Sequence, residues 1–215
     1  MAAQAQLAEG LSLLGIALSD DAQRKLLDYA RLLEKWNRTY RLTAVQDTAR
    51  VISHHLLDSL AVLPFLCGAR LLDVGSGGGM PGIPLAIALP HLHVVLLDSN
   101  SKKSAFLQQA VIELGLANIA VHCGRVENYR PATGFTMITA RAFSELAVLV
   151  KLSRHLLQGQ GRWLAMKGVD PQDEIARLPA DAAVDAVHRV EVPGVSGERH
   201  LVLIRRRIAG LEGES

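Results

Sequence analysis

The chain has 215 residues, a formal net charge of +2, 49% apolar residues and 20% charged residues. This length predicts one ordinary domain with an extension, and the composition is typical of a soluble globular protein. No apolar run approaches the roughly 18 residues that a membrane-spanning helix needs. Residues 1–10 also lack the basic start and long apolar stretch of a signal peptide. We therefore expect a cytoplasmic protein with no membrane partner.

The cysteines and histidines argue against a metal site. Cys67 and Cys123 lie far apart and form no CxxC pair, so we expect two reduced, mostly buried thiols rather than a disulfide or a thiolate site. His54 and His55 are adjacent. Because neighbours on a helix point about 100° apart, they make a poor pair of ligands. We predict no bound metal.

Residues 1–67 have the pattern of a helical N-terminal extension. Asp20 and Gln23 resemble a capping box that opens a helix. Apolar residues then recur at helical spacing, at Leu26, Leu27, Ala30 and Leu33. A second helix is predicted from about residue 48 to 63, ending at Pro64. Residues 36–43 are expected to form a polar connector between the two helices.

From residue 68 onward, short apolar strands alternate with helical segments at about 82–89, 101–115 and 144–157. The predicted strands are Arg70–Val74, His93–Leu97, Ile119–His122, Thr136–Thr139, Arg162–Met166, Ala186–Val192 and Leu201–Arg205. Such alternation predicts an α/β domain over residues 68–215 with a mainly parallel, seven-stranded, Rossmann-like sheet. The last two strands are joined by a short loop at 193–198, so the last strand is predicted to be antiparallel.

A glycine-rich segment, Asp73–Pro84, occupies the turn from the first strand to the following helix. In an open parallel sheet this turn lies at the edge where ligands bind. Gly77, Gly79 and Gly82 match the dinucleotide pattern GxGxxG formally. However, Pro81 lacks the backbone N–H that a pyrophosphate-binding turn would use. The segment therefore indicates a ligand loop but only weakly a dinucleotide.

Two acids refine the identity of the ligand. Asp73 ends the first strand, where a carboxylate favours a cationic sulfonium cofactor and would repel a pyrophosphate; alternatively, it caps a turn. Asp98 ends the second strand, where an acid can accept hydrogen bonds from a ribose hydroxyl in either kind of site. Together they favour S-adenosylmethionine. An NAD-dependent oxidoreductase is the disfavoured enzyme alternative, since no convincing proton donor for hydride chemistry is evident.

Several motifs resemble those of the RsmG (GidB) family, whose members are guanine-N7 methyltransferases acting on a loop of bacterial 16S rRNA. They are Asp73–Pro84 with its continuation to Ile87, Leu96–Ser99 followed by two lysines, and Ala140–Phe143. Further matches at residues 36–37, 42–44, 54–60, 166–168 and 197–201 extend the resemblance over nearly the whole chain. One departure is Arg41, where the family often has asparagine.

The resemblance implies a class I methyltransferase fold and a set of site residues. Cofactor contacts are expected at Asp73, Gly75, Gly77, Met80, Asp98, Val126 and Glu127. Arg141, at the end of the fourth strand, would lie beside the methyl-transfer site and the cofactor, with ordinary surface charge as its alternative. RNA contacts are expected at Lys102, Lys103, Lys167 and Arg199, again with surface charge as the alternative. Trp36 and Tyr40 either stack on bases or, as we favour, anchor helices.

The resemblance therefore implies a methyltransferase that uses S-adenosylmethionine to modify N7 of a guanosine in 16S rRNA, naked or within the small ribosomal subunit. Guanine N7 carries a lone pair and no proton, so no general base is expected. The alternative of a different class is a ribosome-assembly protein that binds the cofactor with little turnover.

Overall fold

A seven-stranded sheet lies at the centre of the computed structural model, which describes residues 2–207. Its strands are β1 (Arg70–Val74), β2 (His93–Asp98), β3 (Ile119–Cys123), β4 (Phe135–Arg141), β5 (Leu157–Lys167), β6 (Ala182–Arg189) and β7 (His200–Arg206). The order is β3-β2-β1-β4-β5-β7-β6, and β7 runs antiparallel to both of its neighbours. The predicted mainly parallel sheet with a reversed last strand is confirmed. The strand order reverses between the parallel neighbours β1 and β4, which opens a ligand crevice at the carboxyl ends of these strands.

Helices cover both faces of the sheet. They are α1 (Ala2–Leu13), α2 (Asp20–Tyr40), α3 (Thr48–Val51), a π-helix (Ile52–Leu57), α4 (Asp58–Leu60), α5 (Gly82–Ala88), α6 (Ser101–Glu113), α7 (Leu146–Ser153) and α8 (Gln172–Ile175). Successive strand residues point to opposite faces. Leu71 belongs to the core beneath the N-terminal helices, α5 and α6. Leu72 belongs to the second core, which includes Leu149 of α7.

The N-terminal helices share one core with the sheet. Leu7 and Leu26 are fully buried in the same cluster as Leu71. Trp36 lies with its ring centroid 5.6 Å from that of Phe106, so it anchors α2 to α6. Apolar packing is continuous between the N-terminal helices and the sheet. The predicted division of the chain between residues 67 and 68 stays a prediction.

Three expectations for the N-terminal helices need correction. The cap of α2 is Ser19 rather than Asp20, since the Ser19 Oγ accepts a hydrogen bond from the Ala22 amide at 3.2 Å. The helix continues through Tyr40 into the predicted connector, where the packing of Trp36 outweighs a polar sequence of modest helix propensity. It ends at Arg41, whose backbone is left-handed with φ 50° and ψ 53°. The second predicted helix is interrupted by the π-helix.

Other expectations also differ from the structure. Cys67 and Cys123 are both exposed rather than mostly buried, because the first lies in a loop and the second ends the edge strand β3. Strand β6 begins four residues before the predicted Ala186 and ends before Val192. The small residues at its start carried too weak an apolar signal to identify it.

Residues 2–207 contain no group of three or more His, Cys, Asp or Glu side chains arranged to hold a metal ion. None of the helices in this part of the chain has the length and apolar content to cross a membrane.

Candidate functional site

The glycine loop follows β1 and is tied to the end of β2. The amides of Gly75 and Ser76 donate hydrogen bonds to the Leu97 carbonyl at 2.8 and 3.1 Å. The Ser76 Oγ donates to the Asp73 carbonyl and accepts from the Leu97 amide. Gly75 is exposed with φ 70°, and a Cβ built there would meet nothing within 4 Å. The loop therefore presents bare backbone to open space, as a ligand-binding turn must.

Asp73 lies beneath this loop. Its side chain is fully buried, and its Oδ2 accepts a hydrogen bond from the Gly82 amide at 3.0 Å, at the start of α5. Gly82 is required here because a Cβ would lie 2.2 Å from Leu96 Cδ2 and 2.9 Å from Asp73 Oδ2. Burial raises the pKa of Asp73 to about 7. Through its hydrogen bond with the Gly82 amide, the Asp73 side chain caps the turn. Its direct contact with a cofactor stays a prediction.

Asp98 connects the glycine loop to the next turn. Its Oδ2 accepts from the Gly77 amide at 2.9 Å and its Oδ1 from the Asn100 amide at 2.8 Å. Asn100 in turn caps α6. Asp98 is buried, with 6% of its surface exposed, and because charge-assisted hydrogen bonds are strong it fixes the shape of the crevice where the two turns meet.

The crevice edge has the features that S-adenosylmethionine requires. Gly75, Gly77 and Asp98 meet at the ends of β1 and β2, and the 3₁₀ turn Val126–Asn128 follows β3 at the same edge. One oxygen of Asp73, Oδ1, is buried and makes no hydrogen bond within the described residues. A buried carboxylate beside open glycine backbone fits a cofactor that carries a sulfonium and an ammonium group. These residues could hold it between loop and strand ends.

The π-helix Ile52–Leu57 faces the same edge from the N-terminal extension. Such turns are rare and often mark functional sites. It presents His55, whose Nε2 lies 2.7 Å from the Thr43 Oγ1 and whose Nδ1 lies 2.9 Å from the His54 carbonyl oxygen. Burial and, less strongly, the charge of Arg141 lower the pKa of His55 to about 4. The ring is therefore neutral at pH 7.

A second pocket of about 560 Å³ opens between the π-helix region and the ends of β4, β5 and β7. Its walls are formed by residues from distant parts of the chain, which include Thr43, His55, Asp58, Arg141, Lys167 and Arg199. This volume lies in the range of pockets that hold small organic groups.

Arg141 joins this pocket to the glycine loop. Its Nη1 donates to the His54 carbonyl at 3.0 Å and to the Asp58 Oδ2 at 3.2 Å. Its Nη2 lies 3.2 Å from the sulfur of Met80, the buried methionine of the loop. The side chain is one-fifth exposed, so the guanidinium is held firmly yet reaches the pocket.

The four predicted RNA-contacting residues separate into two pairs. Arg199 and Lys167 line the pocket with Arg141. The Lys167 ammonium is occupied, because it binds the Glu174 carboxylate at 2.8 Å and the Phe143 carbonyl at 3.0 Å. Lys102 and Lys103 lie at the start of α6, beside the crevice rather than among the pocket residues. RNA contact at all four stays a prediction.

Sequence reasoning missed Thr43, His55, Asp58 and Glu174 as site residues. The histidines were considered only as metal ligands. Thr43 and Asp58 could have been identified from their presence in matched motifs that had no assigned role, whereas nothing in the sequence pointed to Glu174. Their juxtaposition depends on tertiary structure.

Comparison with known proteins identifies the family of the chain. A profile of the GidB family, described as rRNA small subunit methyltransferase G, matches residues 22–202. A protein of that name from Laribacter hongkongensis is 55% identical over 94% of this chain and 98% of its own length. Another from Chromobacterium violaceum is 55% identical over 92% and 95% of the two chains.

Solved structures share the fold. The O-methyltransferase TomG from Streptomyces achromogenes, crystallised with S-adenosylmethionine, covers 94% of this chain with 96% of its own, at a TM-score of 0.60 and 16% identity. The glycopeptide N-methyltransferase MtfA, also complexed with the cofactor, covers 72% of this chain at a TM-score of 0.61 and 10% identity. At these identities the likeness concerns the fold alone. The profile and the relatives together establish that the chain belongs to the rRNA small subunit methyltransferase G family.

Proposed function

We propose that this protein transfers the methyl group of S-adenosylmethionine to N7 of a guanosine in 16S rRNA. The name of the family and its relatives supports an rRNA substrate. The observation that carries the proposal furthest is the placement of Arg141. Its guanidinium contacts Met80 of the glycine loop on one side and lines the open pocket on the other.

The cofactor, when bound, supplies an electrophilic methyl group on a positively charged sulfur. The residues of this chain hold and orient it. Asp98 fixes the loop at Gly77 and is placed to accept hydrogen bonds from a ribose. The negative charge of ionised Asp73, just beneath, favours a cationic ligand.

Of the pocket residues, neither His55 nor Asp58 is poised as a general base. His55 is neutral, but both of its ring nitrogens already lie within hydrogen-bond distance of protein oxygens. Asp58 is bound to two arginines. Guanine N7 needs no base, because it attacks through a lone pair and loses no proton. The contribution of the protein is then to align the nucleophile with the methyl group, and good alignment can be worth several orders of magnitude in rate.

The accessibility of N7 in RNA favours an unpaired base. N7 is buried in the deep, narrow groove of an A-form helix but accessible in a loop whose bases are splayed out. Because the product base is cationic, Arg141 is better placed to bind the guanine O6 or a phosphate than to face N7. The 16S rRNA, alone or in the small ribosomal subunit, and a cytoplasmic location are part of this proposal.

The test is methyl transfer from radiolabelled S-adenosylmethionine to 16S rRNA, offered as naked RNA and as small subunits. Nuclease digestion should release the label as 7-methylguanosine from one site, and the preferred form identifies the substrate. Label at another atom would correct the acceptor. Cofactor binding without transfer to either form would favour the assembly-protein alternative.

A further inference from the structure

Asp58 is the buried centre of an Arg–Asp–Arg cluster in the pocket wall. Its side chain is 5% exposed, with Oδ2 3.2 Å from Arg141 Nη1 and Oδ1 3.0 Å from Arg199 Nε. We propose that Asp58 is a positioning residue, which fixes the Arg141 guanidinium for methyl transfer while limiting the positive charge of the pocket. This inference rests on the proposed function.

The two arginines cannot hold this arrangement unaided. They line one pocket and carry like charges, so each favours rotation towards solvent. One carboxylate oxygen for each guanidinium removes that conflict, and a buried, charge-assisted pair has a defined geometry. The Arg141 Nη1 is then saturated by Asp58 and the His54 carbonyl.

The remaining edge of Arg141 is left with weak partners. Its Nη2 has the Met80 sulfur at 3.2 Å and the His55 Nδ1 at 3.4 Å. A thioether is a poor acceptor, and the His55 Nδ1 is already 2.9 Å from the His54 carbonyl oxygen. This edge is therefore available for a substrate oxygen, and Asp58 determines its direction.

The charges indicate orientation rather than general attraction of RNA. Asp58 offsets one of the two guanidinium charges, and Glu174 offsets Lys167. The cluster and this second pair together leave a single positive charge at the pocket. That charge suits one phosphate or one polarised base oxygen, and it is too small to attract an RNA backbone strongly.

Asp58→Asn tests the proposal, because it keeps the shape of the side chain and removes its charge and one acceptor. We expect kcat on 16S rRNA to fall at least tenfold, while the cofactor Kd changes less than twofold and the RNA KM stays equal or falls. A kcat within threefold of wild type, or a loss confined to a higher KM, would overturn it.

Asp185 offers a matched control, since it bridges Arg162 at 3.1 Å and Arg205 at 2.8 Å in a similar cluster. Its partner Arg162 lies in the middle of β5, and at the usual rise per residue that position is about 16 Å along the strand from Lys167. Asp185→Asn should leave kcat and KM unchanged. An inactive wild-type protein would instead mean that the proposed function is wrong.

A second variant applies if Asp58→Asn does not fold. Arg141→Lys keeps the charge but cannot reach Asp58, the His54 carbonyl and Met80 together, so kcat should fall by a similar factor. Wild-type turnover in Arg141→Lys would refute a role for fixed orientation. Where both single variants fold, the double variant should lose no more than Arg141→Lys alone, since Asp58 acts through Arg141. Additive losses would contradict the proposal.

Discussion

The Nη2 atom of Arg141 lies 3.2 Å from the sulfur of Met80, which places the end of β4 directly against the glycine loop. This contact connects two regions that bind different molecules in our proposal. Substitutions on either side of it should therefore separate loss of turnover from loss of cofactor affinity.

Arg141→Ala should reduce kcat by about a hundredfold or more, since it removes a positioned charge from the transfer site. The cofactor Kd should rise only a few-fold, because Met80 and the rest of the glycine loop remain. Single-turnover methylation and calorimetry give the two values. Arg31→Ala, which removes an exposed arginine of α2 paired with Asp28, serves as the control. Tenfold weaker cofactor binding with normal turnover would reverse the assignment.

Asp98→Ala should have the opposite profile. It leaves the Gly77 and Asn100 amides without their carboxylate partner, so the cofactor Kd should rise at least tenfold. At saturating cofactor, kcat should remain within a few-fold of wild type. Cofactor affinity is measured by calorimetry, and an unchanged Kd would exclude Asp98 from the binding site.

Asp73 should make cofactor affinity depend on pH. Burial raises its pKa to about 7, so the carboxylate is largely neutral at pH 6 and ionised at pH 8. A negative Asp73 favours a cationic ligand, so wild-type affinity should increase between these values. Asp73→Asn should lack this contribution. Parallel pH profiles for the two proteins would show that Asp73 does not sense the cofactor charge.

His55 should make folding stability depend on pH in acid. Burial, assisted by Arg141, lowers its pKa to about 4, against 6.5 for the unfolded chain. As the pH falls from 6.5 towards 4, the unfolded state binds a proton that the folded state does not. The free energy of unfolding should therefore fall by up to about 3 kcal/mol through this window.

Urea unfolding of wild type and His55→Gln at several pH values isolates this contribution. The raised pKa of Asp73 acts in the opposite direction, since it favours folding at low pH, but it is common to both proteins. The difference between them should therefore follow His55 alone. Equal pH dependence would contradict the assignment, and the exposed His91→Gln provides the control.

Arg41→Asn should stabilise the protein by about 0.5–1 kcal/mol. Arg41 has φ 50° at the end of α2, a conformation that asparagine adopts more readily than other side chains with a Cβ. Arg38→Asn, within the same helix, should instead destabilise slightly, because asparagine is a weaker helix former than arginine. Denaturant midpoints measure both, and a destabilised Arg41→Asn would contradict the expectation.

The sheet could be predicted from sequence because strand and helix periods differ clearly. The alternation after residue 68 established the parallel sheet, and the missing helix before Leu201 predicted the reversal of β7. The glycine loop and Asp98 were likewise local signals at strand ends. These features depend on short-range pattern, which a single sequence displays.

The pocket could not be predicted in the same way. The π-helix uses residues that fit an α-helix equally well, so no propensity distinguishes it. Asp58 reads as an ordinary helix residue until tertiary folding buries it between Arg141 and Arg199. The occupied state of Lys167 also depends on Glu174, whose short helix carried no periodic signal.

The insertion of β7 between β5 and β6 affects the order in which the two parts of the site are completed during synthesis. The pocket combines Thr43, from the first quarter of the chain, with Arg199, which enters only with this strand. During synthesis, the glycine loop can form long before the pocket has its last wall. A nascent chain that ends before β7 would have a nearly complete cofactor crevice and an open substrate side, so competence for RNA is gained only after β7 has been made.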